Sequence, residues 1–298
     1  MKYMKKSKSE KAFDGLNYFF MFLFVLMIIY PILNMVAISL SSDSYVLTSR
    51  VTFYPRGLNF TAYNQAFQNS MLMRAYINTI TVALFGALSS LLIISFAAYP
   101  LAYSDFIGKR VIGFMILFTL WFSGGMIPQF LVTRNLGLLN TKAGLIFSIL
   151  AGPFHIIILR AFFQTIPKSL MESAKIDGAN DFKILFRIVW PLSKPALALI
   201  ALWIVVGHWN AYMIPLLYLT DRNQFTLQIV LRDIVLLSQA YIYGMATEIQ
   251  TADTISNTAL PEQTKNAVVF IAMVPMLILY PFLQKYFVKG VMLGAVKE

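Results

Sequence analysis

The chain has 298 residues, of which 58% are hydrophobic and only 12% are charged, and its formal net charge is +11. Soluble domains carry about 25% charged residues, so this composition indicates a membrane protein with several spans and excludes a soluble globular domain. The absence of cysteine excludes disulfides, thiolate catalysis and cysteine-ligated metals, and the scatter of positive charge between apolar segments argues against a nucleic-acid partner.

Six apolar segments are long enough to cross about 30 Å of hydrocarbon. In chain order they cover about residues 16–40, 77–101, 111–131, 143–163, 195–219 and 266–288. The basic segment 1–15 precedes the first of them, and no small-residue cleavage site stands near the start of that apolar run, so we interpret 16–40 as a retained span. The predicted fold is therefore an all-α polytopic membrane protein, with a transmembrane domain over 16–288 and a tail over 289–298.

The second span contains small residues near helical spacing, namely Ala83, Gly86, Ala87, Ser90, Ala97 and Ala98. Small residues let helix backbones approach closely within lipid. We therefore predict that this span is buried among other helices or lies at a subunit contact.

Lysine and arginine are distributed unevenly between the loops. The N-terminal segment, the turn at 102–110, the fourth connection with its flanks and the C-terminal end together carry 16, whereas the other connections carry 8. Cytoplasmic loops carry the excess of positive charge, so both termini and a polar loop at about 167–194 are predicted to be cytoplasmic. The long loops at about 41–76 and 220–265 are then extracellular. In the second of them, TEIQTADTISNTALPEQ is interpreted either as a solvated loop or as a segment ordered by a partner.

None of the 13 acidic residues falls in the middle of a predicted span. Ion-coupled transporters usually place ionisable residues inside the membrane, so this distribution argues against a transporter that powers itself. The sequence also has no G-x-x-x-x-G-K-[ST] phosphate-binding loop, and its two histidines, His155 and His208, lie in apolar contexts typical of buried structural histidines. We expect no enzymatic activity, no bound cofactor and no metal site, so that uphill transport would be driven by a separate subunit.

The polar loop has the pattern of two short helices joined by a turn. Ser169, with Glu172 three residues on, can form a capping box for the first helix, and Asn180 or Asp181 can cap the second. Gly178 marks the turn, because glycine reaches positive φ without a steric penalty. The apolar side of the first helix is assigned to Leu170, Ala174 and Ile176, and that of the second to Phe182, Leu185, Phe186 and Val189.

Patterning alone leaves three interpretations of the polar loop open: a helix pair lying on lipid, a solvated loop, or a docking element for a soluble partner. Its sequence resembles the EAA loop of permease subunits of bacterial ABC importers, whose pattern is E-A-A, three residues, G, nine residues, I-x-L-P. The matching residues are Glu172, Ala174, Gly178, Ile188 and Pro191. Ser173 and Trp190 depart from the pattern, which has Ala and Leu at those positions.

Further stretches, among them AAYPLAYSDFIGKR and HWNAYMIPLLYL, resemble the MalG-like branch of carbohydrate permeases. WFSGGMIP and YPFLQKYFVKGV are similar to a subgroup that handles complex oligosaccharides in Gram-positive bacteria. The resemblance implies a type I ABC importer permease in the bacterial cytoplasmic membrane. It also implies four kinds of partner: membrane lipid, a second homologous permease, two cytoplasmic ATPase subunits that bind ATP and Mg, and an extracellular lipid-anchored binding protein for the carbohydrate.

The resemblance further implies which residues couple the chain to the ATPases. They are Leu170, Glu172, Ala174, Asp177, Gly178, Asp181, Phe182, Ile188 and Pro191. Three of them, Leu170, Ala174 and Phe182, are expected to fill a groove of the partner, while the acidic residues pair with basic groups at its rim. The C-terminal KGVMLGAVKE resembles a tail that reaches between the ATPases, and a frayed terminus is the alternative.

A carbohydrate path needs aromatic faces and amide or hydroxyl groups inside an otherwise apolar bundle. The candidates for it are Tyr99, Trp121, Gln129, Trp209, Asn210 and Tyr212. Two alternatives stay open at this point: a permease of the same class for another solute, such as a peptide or polyamine, and a self-contained channel or facilitator.

Overall fold

The computed structural model describes residues 7–242 and 260–295, and the side-chain surroundings of residues 7–239 and 260–281. Within these ranges the chain forms helices and turns and no strand, which confirms the predicted all-α class. Most of the polar stretch TEIQTADTISNTALPEQ and the side chains of the C-terminal KGVMLGAVKE lie outside the described residues, so the two predictions made for them stay predictions.

The helices follow one another in this order. They are α1 Lys8–Ser39, α2 Asp43–Leu47, α3 Thr61–Gln68, α4 Ser70–Tyr103, α5 Lys109–Trp121, α6 Met126–Asn135, α7 Lys142–Ser148, α8 Pro153–Phe163, α9 Lys168–Ile176, α10 Asp181–Ile184, a π-helix over Leu185–Val189, α11 Trp190–Leu192, α12 Lys194–Asn210, α13 Met213–Tyr218, a 3₁₀ turn over Arg222–Gln224, α14 Leu227–Ile242 and α15 Pro261–Ala295.

Three helices are long and apolar enough to cross a membrane on their own: α1, α4 and the Pro261–Pro281 part of α15. Three further candidate spans are broken helix pairs. The pair α5 and α6 is bent by 115°, the pair α7 and α8 by 61°, and the segment Asp181–Leu192 with α12 by 86°. The described chain therefore has up to six spans when each bent pair is counted once.

These breaks divide two of the predicted spans, 111–131 and 143–163, into helix pairs. Between α5 and α6 the chain passes through Gly124 and Gly125, and Gly125 has φ +84°, which a helix cannot include. Between α7 and α8 the break ends at Gly152, and Pro153 starts the new helix at a position where its missing N–H costs nothing. The predicted fifth span, 195–219, likewise contains a break, because α12 ends at Asn210 and α13 begins at Met213.

The two long loops that the sequence predicts to be extracellular contain several helices. Short helices α2 and α3 lie within 41–76, and α4 already begins at Ser70. Within 220–265 the helix α14 covers Leu227–Ile242, which precedes the stretch TEIQTADTISNTALPEQ that was interpreted as a solvated or partner-ordered segment. Amphipathic character explains this helix, since α14 alternates apolar residues with Gln228, Arg232 and Asp233 at helical spacing.

By its contacts the chain divides into two compact units, the first made of Met1–Asn69 with Asp233–Met273 and the second of Ser70–Arg232 with Val274–Glu298. In the first unit, Ser7 and Glu10 cap the start of α1 reciprocally: Ser7 N donates to Glu10 Oε2 at 2.7 Å, and Glu10 N donates to Ser7 Oγ at 3.3 Å. Most of α1 is apolar and exposed, as expected of a helix that faces lipid.

A buried glutamine connects the start of α15 to the end of α1 in this first unit. Gln263 Nε2 donates to the Ser41 carbonyl at 2.7 Å and to Asp43 Oδ1 at 3.0 Å. Its Oε1 accepts from Leu260 N at 2.9 Å. The side chain is 1% exposed, so these three hydrogen bonds replace all contact with water.

We expect Gln263→Leu to destabilise the protein, because the Ser41 carbonyl and the Leu260 N–H would each lose a buried partner at a cost of about 1–3 kcal/mol per group. The measurement is the thermal denaturation midpoint of the purified chain in detergent. The matched control is Gln68→Leu, since Gln68 lies exposed at the end of α3. An equal midpoint for the two variants would contradict the structural role of Gln263.

The second unit is built around α4, α8 and α12. Their buried side chains form one apolar cluster with residues of the polar loop, and its most deeply buried members are Ile94, Leu159, Phe163, Ile184, Val189 and Ile200. The predicted burial of small residues in the second span is confirmed for Ala83, Gly86, Ala87, Ser90 and Ala98, while Ala97 is only partly buried. His208 of α12 is buried as expected, and His155 of α8 is partly buried beside Phe154 and Trp203.

Candidate functional site

The polar loop folds into the two helices that its sequence predicts. Helix α9 covers Lys168–Ile176, and α10 begins at Asp181. Asn180 caps α10 by accepting a hydrogen bond from Lys183 N at 2.9 Å, which confirms one of the two predicted caps. Gly178 has φ +77° between the helices, as the turn requires.

The predicted capping box of the first helix is wrong. Helix α9 begins at Lys168, and its cap position is Pro167, which makes no side-chain cap hydrogen bond. Ser169 is therefore the second helical residue instead of the cap. The fixed φ of Pro167, −57°, starts the helix without a polar cap.

One face of the polar loop is packed into the second unit. Met171 and Ala174 of α9 are buried, as are Ile184, Leu185 and Val189 farther along, and all belong to the apolar cluster formed with α4, α8 and α12. The loop is thus an extension of the helical core and not a solvated connection. This arrangement argues against the solvated-loop interpretation and leaves the lipid-surface and docking-element interpretations open.

The other face of the loop is exposed. Leu170, Ile176 and Phe182 are 44%, 87% and 65% exposed, respectively, and Glu172 and Asp177 are also exposed. Ala174 was expected in the groove of the partner, but its side chain is only 9% exposed and packs inside the chain. A helix of nine residues has two sides, and the core takes the side that carries Met171 and Ala174.

A π-helix over Leu185–Val189 precedes Trp190 and Pro191. Pro191 lacks the N–H that the Arg187 carbonyl would accept from in a regular α-helix, and the wider turn ends just before it. The indole of Trp190, where the resembling pattern has leucine, donates from Nε1 to Ser95 Oγ of α4 at 3.1 Å. Ile188 is partly buried, and Pro191 is exposed.

Asp181, the first residue of α10, accepts two contacts. Tyr99 OH of α4 donates to its Oδ1 at 3.0 Å, and Lys175 Nζ of α9 lies 3.4 Å from the same oxygen. Tyr99 is itself buried. The structure therefore places Tyr99 against the polar loop, although the sequence made it a candidate for the carbohydrate path.

Two of the path candidates, Tyr99 and Trp209, lie far apart along α4. Trp209 stacks edge-on against Tyr76, with ring centroids 5.6 Å apart. Tyr76 and Tyr99 lie on the same helix, and 23 residues at 1.5 Å each separate them by about 35 Å. Tyr99 and Trp209 thus lie near opposite ends of α4, so one small sugar molecule could not contact both at the same time.

The remaining path candidates do not line one common site. Trp209 is buried, and its carbonyl accepts from Gln228 Nε2 at 3.1 Å, whereas Asn210 Nδ2 donates to Val206 O of its own helix at 3.0 Å. Tyr212 lies under the guanidinium of Arg232, whose Cζ is 5.7 Å from the ring centroid. Trp121 is 80% exposed at the end of α5.

A cavity of about 580 Å³ opens where α5 breaks into α6. Its lining comprises Ser123, Gly124, Gly125, Met126, Pro128, Gln129, Val132, Thr133, Phe147 and Ile214. Gln129 is held in this wall because its Nε2 donates to the Ser148 carbonyl at 2.8 Å, and Thr133 Oγ1 donates to the Gln129 carbonyl at 2.9 Å. Of the six path candidates, Gln129 lines this cavity.

The sequence analysis missed Ser95 and Phe96 of α4. Both contact the polar loop: Ser95 accepts from Trp190, and the ring centroid of Phe96 is 6.0 Å from those of Phe182 and Phe186. Ser95 and Phe96 lie about one helical turn from Tyr99, so the sequence places all three on one side of α4. The sequence does not show which side of α4 contacts the loop. Within residues 7–242 and 260–295, no group of three or more histidine, aspartate or glutamate side chains is arranged to hold a metal ion.

Comparison with known proteins places these features in a family. Residues 85–293 match the model of the binding-protein-dependent transport system inner membrane component. The polygalacturonan/rhamnogalacturonan transport system permease protein YtcP of Bacillus subtilis is 40% identical, over 97% of this chain and 99% of that protein. Protein LplC of the same organism is 37% identical, over 99% and 98%.

A solved structure shares the fold along nearly the whole chain. One chain of a bacterial ABC transporter involved in the import of the acidic polysaccharide alginate is 33% identical to this chain. The match covers 95% of this chain and 99% of that one, with a TM-score of 0.86. The matched family segment contains α8, the entire polar loop and α12. The chain thus belongs to the family of inner membrane components of binding-protein-dependent transport systems.

Proposed function

We propose that this chain is the permease subunit of an ATP-driven ABC importer for oligosaccharides or polysaccharide fragments. The observation that carries the proposal is the full-length similarity to YtcP, together with the fold shared with the alginate transporter chain. Polygalacturonan and alginate are both polymers of acidic sugars, so an acidic oligosaccharide is the favoured substrate.

The proposed partners follow from the same importer class. They are a second homologous permease, two ATPase subunits in the cytoplasm and a lipid-anchored binding protein outside a Gram-positive cell membrane. Both termini of this chain would lie in the cytoplasm. ATP and Mg would bind only to the ATPases, and this chain would catalyse no reaction and carry no cofactor of its own.

The polar loop is the proposed contact with the ATPase. Its buried face fixes the loop to the helical core, while Leu170, Ile176 and Phe182 present apolar surface to solvent. Glu172 and Asp177 lie exposed beside them and can pair with basic groups of the partner. Ala174 and Ile188 support this surface from below, Gly178 sets the angle between α9 and α10, and Pro191 turns the chain towards α12.

The proposed carbohydrate path includes the cavity at the α5–α6 break. Gln129 and Ser123 supply polar groups there, and Phe147 supplies an aromatic face. Trp121, Asn210 and Tyr212 remain proposed path residues, whereas Trp209 packs against Tyr76 and would shape the path by supporting its neighbours.

We expect Leu170→Glu to abolish co-purification of the ATPase with this chain, because a charge would replace an apolar contact at the interface. The control is Leu136→Glu, since Leu136 is also an exposed leucine but lies after α6, on the predicted extracellular side. Both variants should reach the membrane in wild-type amounts. Retention of the ATPase by Leu170→Glu would exclude this residue from the interface.

The substrate is tested in proteoliposomes that hold the complete importer, with labelled oligogalacturonides, alginate oligomers, a neutral raffinose-type sugar, a peptide and a polyamine. ATP-dependent uptake of an acidic oligosaccharide, lost without the binding protein, is the expected result. Uptake of the peptide or polyamine alone would replace the sugar assignment. Flux through this chain without ATPase subunits would indicate a channel or facilitator instead.

A further inference from the structure

We propose that Ser95 and Tyr99 of α4 are positioning residues for transport, which hold the polar loop in fixed register on the second span so that movement of the loop moves α4. The inference rests on the proposed function, because it assumes that an ATPase pushes on this loop. It adds to that function a defined route by which the push reaches a membrane-spanning helix.

Two hydrogen bonds form the connection. Trp190 Nε1 donates to Ser95 Oγ at 3.1 Å, and Tyr99 OH donates to Asp181 Oδ1 at 3.0 Å. Ser95 and Tyr99 are one helical turn apart on α4, so they face the same side. Because all four residues belong to one compact unit, each bond joins α4 directly to the loop.

The two partners lie at opposite ends of the second half of the loop. Asp181 is the first residue of α10, and Trp190 is the first residue of α11, with the π-helix between them. Attachment at two separated points fixes both the position and the direction of this segment relative to α4.

Aromatic side chains fill the space between the two bonds. The ring centroid of Phe96 lies 6.0 Å from that of Phe182 and 6.0 Å from that of Phe186, edge-on in both cases. Phe186 in turn stacks edge-on against Trp190 at 5.1 Å. This packing stabilises the contact but is weakly directional, whereas hydrogen bonds define which residues meet.

The chain provides matched controls for each bond. Tyr103, one turn beyond Tyr99 on α4, donates its OH to the Phe163 carbonyl and so connects α4 to α8 instead of to the loop. Trp203 of α12 packs against Phe154 and His155, away from the loop. Tyr103→Phe and Trp203→Phe therefore remove the same chemical groups without touching either loop bond.

The experiment measures uptake of labelled oligogalacturonide and ATP hydrolysis in proteoliposomes that contain the complete importer. The variants are Ser95→Ala, Trp190→Phe, their double variant and Tyr99→Phe, beside the two controls. We expect the ATP hydrolysed per sugar transported to rise about three- to tenfold in Ser95→Ala, Trp190→Phe and Tyr99→Phe. A change of this size corresponds to the loss of one hydrogen bond's net contribution. The controls should keep the wild-type ratio.

The double variant tests whether Ser95 and Trp190 act through each other. If they do, Ser95→Ala with Trp190→Phe raises the ratio no further than either change alone. A wild-type ratio in Ser95→Ala and Tyr99→Phe would overturn this inference while leaving the proposed function intact. A parallel fall of uptake and hydrolysis, with less assembled complex, would show a merely structural role and also overturn it. A wild-type chain that binds no ATPase would overturn the proposed function and this inference together.

Discussion

Replacing Gly178 by valine is expected to lower ATP-dependent solute uptake by about tenfold or more, while the chain still inserts into the membrane. Gly178 has φ +77°, a backbone conformation that a β-branched residue adopts only under strain. Strain of this kind costs about 1–3 kcal/mol, and relief of it would re-aim α10 relative to α9. The exposed surface of the polar loop would then no longer match a preformed partner.

The chain around Gly178 makes this prediction specific to the backbone. A Cβ added there meets no heavy atom within 4 Å, so steric clash with neighbours is not the cause. Gly178→Asn is the matched control, because asparagine tolerates positive φ far better than valine does. Uptake and ATPase co-purification should be near wild type in Gly178→Asn. Equal loss in the asparagine and valine variants would mean that side-chain size at the interface matters, and not the turn.

Local sequence signals predicted the two helices and the turn of the polar loop, although the capping box at Ser169 was wrong. The Gly turn, the Asn180 cap and the two short helices depend on interactions within three or four residues, which spacing alone reveals. The matching spacing of Glu172, Ala174 and Gly178 also indicated the family that the comparisons then showed.

Tertiary contacts were beyond what the sequence could provide. Ala174 and Leu170 were both assigned to the apolar side of α9, and only packing against the core decides that Ala174 is buried and Leu170 is exposed. Tyr99 was interpreted as a path residue because the sequence does not show which neighbour an aromatic side chain in a span contacts. Its actual partner, Asp181, is 82 positions away along the chain.

The positions of the helix breaks within the spans could not be predicted for a related reason. Hydropathy averages over a window and does not register two adjacent glycines, so it predicted a span over 111–131 without showing that its helix is broken. In the structure Gly124 and Gly125 break that helix and open the cavity that Gln129 lines. The two glycines that hydropathy does not register therefore form the break at which the proposed carbohydrate cavity opens.

The crossing of α4 and α12 also depends on a glycine, but for a steric reason and not for its backbone conformation. Gly86 lies against the imidazole of His208, and a Cβ added to Gly86 would approach the ring carbon Cδ2 to 2.7 Å. His208 is 3% exposed and has no room to withdraw towards solvent. The close approach of the two helices thus requires a residue without a side chain at this position.

We expect Gly86→Ala to lower the free energy of unfolding by about 1–3 kcal/mol, the usual cost of overpacking a well-packed core. The measurement is the thermal denaturation midpoint of the purified chain in detergent. Gly207→Ala is the matched control, because Gly207 precedes His208 on α12 and a Cβ there meets nothing within 4 Å. The double variant Gly86→Ala with His208→Ala should recover part of the loss, since the smaller residue vacates the space that the new methyl needs. If the double variant is destabilised by the full sum of the two single changes, Gly86 and His208 do not compete for the same space, and the crossing of α4 and α12 must be held by other contacts.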